Sequence, residues 1–267
     1  MRRLMLCLLL LLLAAGRATA QDYEIGKIAA NSAKGFHWPY YLGIPATIKR
    51  PAVLLVQPNG TGYPFDDFTP HDAAAFSQAH GTQNPQGLGR LGSPSLVPVF
   101  PRPPGLYTQS LDRDTLLTKR QGYERLDLQL IAMVEDARAR LAARGITVDV
   151  KFWMRGFSAT GSFTSRFALL HPHLVKAASV GAAGLGPALP VDAWKGRRLN
   201  YPYGVADLES VAGKKFDDSS FRQVAFQIYI GDQDTVSDPE WQPDQSPDQA
   251  LMAEVFGLPN VPLAYMR

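Results

Sequence analysis

Two hydrophobic periods alternate along the chain. Short, nearly continuous apolar runs occur at Pro51–Gln57, Leu96–Phe100, Ile146–Met154, Val175–Val180 and Val224–Ile230. Runs of that length without polar alternation suit strands buried on both faces of a parallel sheet. Between them lie stretches with helical spacing. Residues 66–80 open with Asp66, Asp67 and Pro70 and then turn alanine-rich. Residues 124–144 place Leu126, Leu130, Met133, Val134, Ala137 and Leu141 on one face, with Gly145 as a stop signal. Gly161 to His171 reads as a third helix, ended by Pro172. A later helix opens at Ser246-Pro247-Asp248, runs through Val255 and closes at Gly257, and Val261–Met266 begins or leads towards a further strand. One or two edge strands are expected within the aromatic- and proline-rich Ile25–Pro51. Strands alternating with helices predict an α/β domain with a mostly parallel sheet covered on both faces. Residues 184–220 break the rhythm and read as a loop-rich insertion over one edge of the sheet.

The amino terminus belongs to a different class of sequence. Arg2-Arg3 precedes an apolar run from Leu4 to Ala15, and Ala18-Thr19-Ala20 forms an A-x-A site before Gln21. That is the pattern of a secretory signal peptide, too short for a membrane span of about 20 residues. Its removal changes the charge. The segment carries Arg2, Arg3 and Arg17 of the 27 basic residues and no acid, which leaves 24 of each sign. A neutral mature chain asks for neither a nucleic acid nor an anionic membrane as partner, and a secreted or periplasmic location follows. The single cysteine, Cys7, leaves with the signal, so the mature chain relies on its core rather than on disulfides. Residues 21–267 suffice for one large domain.

The chemistry centres on Ser158, between Gly156 and Gly161, after a strand-like run and before a helical one. A serine there can sit on a sharp turn with its Oγ above the carboxyl edge of the sheet, backed by a helix N-terminus that favours developing negative charge. The alternative is a serine that N-caps the helix starting at Gly161. Two further loops follow strands: Pro58-Asn59-Gly60-Thr61-Gly62 and Gly231-Asp232-Gln233-Asp234. With the Gly156–Gly161 stretch, these loops resemble the α/β-hydrolase superfamily over most of residues 51–256. Within it the chain looks like secreted bacterial esterases and polyester depolymerases. One position departs from G-x-S-x-G: Thr160 stands where the second glycine is usual, and a β-branched residue there narrows the helix–strand contact.

The resemblance implies a serine hydrolase acting on a small or polymeric carboxylic ester, without a cofactor. It makes Ser158 the nucleophile and places the acid in the loop after a later strand, where Asp234 is preferred over Asp232 and Asp238. It draws the oxyanion hole from the N–H of Ala159 and from the loop at Asn59, Gly60 and Thr61. Asn59-Gly60-Thr61 also matches a glycosylation sequon, a short motif common by chance. The base is missing. The family order is Ser, Asp, His, yet no histidine follows His173. His171 and His173 lie some three turns along the elbow helix from Ser158, and His71 is expected to cap or hydrogen-bond near a helix start. The expectation is therefore an incomplete chain, lacking the last strand and the histidine and showing little turnover. A non-catalytic binding protein on the same fold is the competing reading. Gly87-Leu88-Gly89-Arg90-Leu91-Gly92 matches a dinucleotide fingerprint but precedes a strand instead of following one. The scattered histidines offer no metal site. Trp194 and Leu199–Tyr203 in the insertion are candidates for shaping an acyl pocket.

Overall fold

The computed structural model describes residues 23–60, 62–83, 88–183 and 188–232. Seven strands form one sheet: β1 (Tyr23–Ile28), β2 (Tyr40–Pro45), β3 (Leu55–Val56), β4 (Ser95–Pro98), β5 (Phe152–Phe157), β6 (Val175–Gly181) and, after a small hairpin, β9 (Ala225–Tyr229). The hairpin is β7 (Ala193–Trp194) with β8 (Arg197–Arg198). The strand order is β1-β2-β4-β3-β5-β6-β9. β1, β2 and β4 pair antiparallel, and β4, β3, β5, β6 and β9 pair parallel. The expected strand at Val261–Met266 and the helix at 246–255 lie outside the described residues.

The helices cover both faces. Side chains alternate across a strand, so Tyr41 and Val97 face one way and Leu42 and Leu96 the other. The first face packs Ala75 and Ala79 of α1 (Thr69–Gln83). The second receives α3 (Leu126–Ala143) and α4 (Ala159–Leu170), with the short α2 (Arg113–Leu117) alongside. Leu126, Leu130, Met133, Val134, Ala137 and Leu141 are all buried in that core, as the helical spacing requires. Gly145 follows α3 at φ 72°, its N–H bonded to the Ala142 carbonyl.

Boundaries differ from the sequence pattern where a polar side chain intervenes. α1 starts at Thr69, because the Asp67 carboxylate accepts the Thr69 N–H and works as a cap outside the helix. β5 is not Ile146–Met154 but Phe152–Phe157. Val148 makes one isolated bridge to Ala52. Asp149 then accepts the Lys151 N–H, and the regular ladder resumes after that turn. The later start carries β5 up to Ser158 without a gap.

The insertion holds β7, β8, α5 (Leu208–Ala212) and α6 (Asp218–Phe221). It is less of a cover than expected. Tyr201, Leu208, Val211 and Ala212 belong to the main core cluster. The Tyr201 hydroxyl donates to the Leu111 carbonyl, and Arg113 pairs with Asp207 at 2.6 Å.

Candidate active site

β3, β5, β6 and β9 are parallel, so their carboxyl ends share one edge of the sheet, the usual place for ligands in such folds. Ser158 lies on that edge directly after β5. Its backbone sits at φ 57°, ψ −128°, a left-handed region that an L-residue with a side chain rarely adopts. The turn is held from both sides. The Ser158 N–H donates to the Gly181 carbonyl at the end of β6, and the Ser158 carbonyl accepts from Gly161 and Ser162 in the first turn of α4. The residue is exposed. Its hydroxyl makes no capping hydrogen bond to the helix, so the N-cap alternative fails on geometry. α4 consequently starts at Ala159 rather than Gly161.

The flanking glycines have identifiable steric causes. A Cβ on Gly156 would meet the Thr160 carbonyl oxygen at 1.9 Å, and one on Gly161 would meet the Gly181 carbonyl oxygen at 2.5 Å. The required small residue after the serine is thus Gly161, which seats α4 against β6. Position 160 is free to carry a side chain.

Ala159 opens α4, and its N–H is among the first donors of the helix, which have no partner inside it. The loop after β3 lies against the same turn, since a Cβ on Gly60 would come 3.4 Å from Thr160 Cγ2. Asn59 is buried. Its side chain donates to the Phe100 carbonyl and accepts the Phe100 N–H, which locks the loop to the end of β4. That double bond, not a glycan, is the role of the sequon asparagine. The Gly60 N–H points to Gln78 Oε1 on α1 at 3.3 Å, while Gln78 Nε2 donates to the Pro58 carbonyl at 2.6 Å. Nothing in the sequence singled out Gln78, because a polar residue on a surface helix carries no signal of what it reaches. Thr61 and Asp234 lie outside the described residues, as does Asp238. Asp232 follows β9 and is exposed.

Three of the histidines have hydrogen-bond partners other than Ser158. His71 is buried, with Nε2 against the Phe65 carbonyl, in keeping with a role near the start of α1. His80 Nδ1 meets the Phe76 carbonyl within α1. His171, at the far end of α4, forms a cluster that the pattern did not reveal. Lys214 Nζ donates to His171 Nδ1 at 2.9 Å, so Nε2 carries the proton and donates to Asp127 at 2.8 Å. Arg125 adds two bonds to the same carboxylate. Burial pushes the Asp127 carboxyl up, but His171 and Arg125 outweigh it and hold it at about 2. Burial pushes His171 down, only partly offset by Asp127, and keeps the ring neutral. Among the described residues no group of three or more histidine, cysteine or carboxylate side chains could hold a metal ion. No described helix is long and apolar enough to cross a membrane.

No protein-family model matches the chain, and no curated protein does. Solved structures do. Poly(aspartic acid) hydrolase-1 from Sphingomonas sp. KT-1 aligns with a TM-score of 0.55 at 18% identity, over 90% of this chain and 81% of its own. LpqC, a poly(3-hydroxybutyrate) depolymerase from Bordetella parapertussis, aligns with a TM-score of 0.55 at 16% identity, over 92% of this chain and 75% of its own. Together with the mostly parallel sheet, its helices on both faces and the strained serine at its carboxyl edge, these alignments establish that the chain has the α/β-hydrolase fold.

Proposed function

We propose that the chain is an exported hydrolase of carboxylic esters, with Ser158 as nucleophile. The observation that carries this reading is the Ser158 backbone at φ 57°, ψ −128°, exposed between β5 and α4 without a capping bond. Strain of about 1–3 kcal/mol persists at such a position only where the surroundings enforce it. Ser158 Oγ would attack the ester carbonyl. The Ala159 N–H and a donor from Gly60 or Thr61 would hold the oxyanion, and Asp234 would orient the base. One of the similar structures is named for the depolymerisation of a polyester, poly(3-hydroxybutyrate). A small or polymeric ester is the proposed substrate class, with Trp194 and Leu199–Tyr203 shaping the acyl side. Residues 1–20 support export, and the processed protein should begin at Gln21, read from the mass of its amino-terminal peptide.

The base is the weak point of the constellation. The five histidines all precede residue 174, and His71, His80 and His171 each commit a ring nitrogen elsewhere. We therefore expect little turnover from residues 21–267 alone. The same observation favours the second reading, a non-catalytic binding protein on this fold. Hydrolysis of 4-nitrophenyl butyrate with and without added imidazole separates the two. The hydrolase reading expects negligible rate alone, and an imidazole-dependent rate that exceeds that of Ser158→Ala. An imidazole-free rate that Ser158→Ala abolishes would overturn the low turnover and leave the nucleophile standing. Identical rates for both proteins at every imidazole concentration would favour the binding protein.

A further inference from the structure

We propose that Thr160 is a positioning residue for the oxyanion site, and that its methyl group sets the distance between the Ala159 N–H and the loop after β3. The inference rests on the reading of Ser158 as nucleophile.

Thr160 stands where G-x-S-x-G would have its second glycine. The close approaches that demand glycine fall at Gly156 and Gly161, so the side chain at 160 is not excluded by packing against the sheet. It is buried and its orientation is fixed. Oγ1 accepts the Phe157 N–H and donates to the Phe157 carbonyl, both at 2.9 Å. With Oγ1 tied to the last residue of β5, Cγ2 is directed at the loop after β3, against the face of Gly60 that a Cβ would occupy. The other restraints on that loop come from elsewhere: Asn59 ties it to Phe100, and Gln78 grips the Pro58 carbonyl and the Gly60 N–H from α1. The Thr160 methyl thus faces Gly60 from the elbow side, with room between them for no more than a methyl group. It does so one residue from Ala159, whose N–H opens the helix and is the oxyanion donor of this reading. A glycine at 160 would leave this gap unfilled.

The hydroxyl and the methyl have separate tasks, and two substitutions divide them. Thr160→Ser keeps the bridge to Phe157 and removes the methyl. Thr160→Val keeps the methyl and removes the bridge. The experiment measures the inactivation rate constant and the inhibitor constant for labelling of residues 21–267 by an aryl fluorophosphonate in imidazole buffer, together with Tm. The expected result is a double dissociation. Thr160→Ser should keep Tm near wild type and the inhibitor constant unchanged, with the inactivation rate constant down by about tenfold, less than the roughly 100-fold that a full misplacement of about 1 Å costs. Thr160→Val should lower Tm and label at close to the wild-type rate. Labelling of Thr160→Ser at the wild-type rate would overturn the proposal and leave Ser158 as nucleophile. So would losses of rate that simply follow losses of Tm. If Thr160→Val does not fold, the serine variant decides alone. A folded wild-type protein that takes no label would overturn both readings.

Discussion

Ser158 shows how a single residue reports on function through its backbone. Its φ of 57° at ψ −128° suits glycine and not serine. Ser158→Gly should therefore stabilise the fold, by about 1 kcal/mol, despite the extra freedom glycine gives the unfolded chain. Ser158→Ala keeps a Cβ and should gain nothing of the kind. Urea unfolding of the two variants checks this, and a glycine variant no more stable than the alanine one would show that the turn is unstrained. The serine and its glycines were legible in the sequence. Which glycine the packing needs was not. That depends on the Gly181 carbonyl, 20 residues away in sequence and brought opposite Gly161 only by the pairing of β5 with β6. Asn59 was legible as a sequon and is in fact a clamp, a distinction that only its burial makes.

At the scale of elements, apolar periodicity located the five parallel strands and the three long helices among the described residues, and local polar chemistry moved their ends. Asp67 delays α1 and Asp149 delays β5. What periodicity could not show is the polar tie between elements. Asp127 opens α3, His171 closes α4 and Lys214 follows α5, so the cluster joins partners 44 and 43 positions apart. The other charges facing it are Arg125, His173 and Asp217. Its pH dependence follows from its shifts. His171 lies below its ordinary 6.5 when folded, so below that pH the unfolded chain binds the additional proton and stability falls. Asp127, at about 2 when folded against an ordinary 3.8, adds a second loss as pH drops below about 4. Tm should therefore decline in two stages on acidification from pH 7. His171→Gln, which carries no titrating ring, should show a smaller first stage, the remainder belonging to His173, which burial also holds below 6.5. A variant with the same decline between pH 7 and 5 as wild type would show that His171 does not govern it.

Across the whole molecule, the sequence pattern supported the class of fold and the edge on which chemistry would sit. It recognised the loop-rich insertion but not its buried part, because low periodicity looks like surface loop whether or not single large side chains reach the core. Tyr201 is fully buried there and bonded to the Leu111 carbonyl. Tyr201→Ala should cost about 3–5 kcal/mol, the scale of an aromatic truncation in a core, and Tyr201→Phe much less. Equilibrium unfolding measures both, and a loss below about 1 kcal/mol for the alanine variant would return the insertion to the status of a surface cover. The acid and the second oxyanion candidate, Asp234 and Thr61, lie outside the described residues, so the account of catalysis turns on the nucleophile. Its most direct test is to treat the folded protein with an aryl fluorophosphonate in imidazole buffer, which supplies the base, and map the adduct by peptide mass. The account predicts one phosphonyl group on the peptide that contains Ser158, and none in Ser158→Ala. A folded protein that stays unlabelled, or one labelled at another residue, would contradict it.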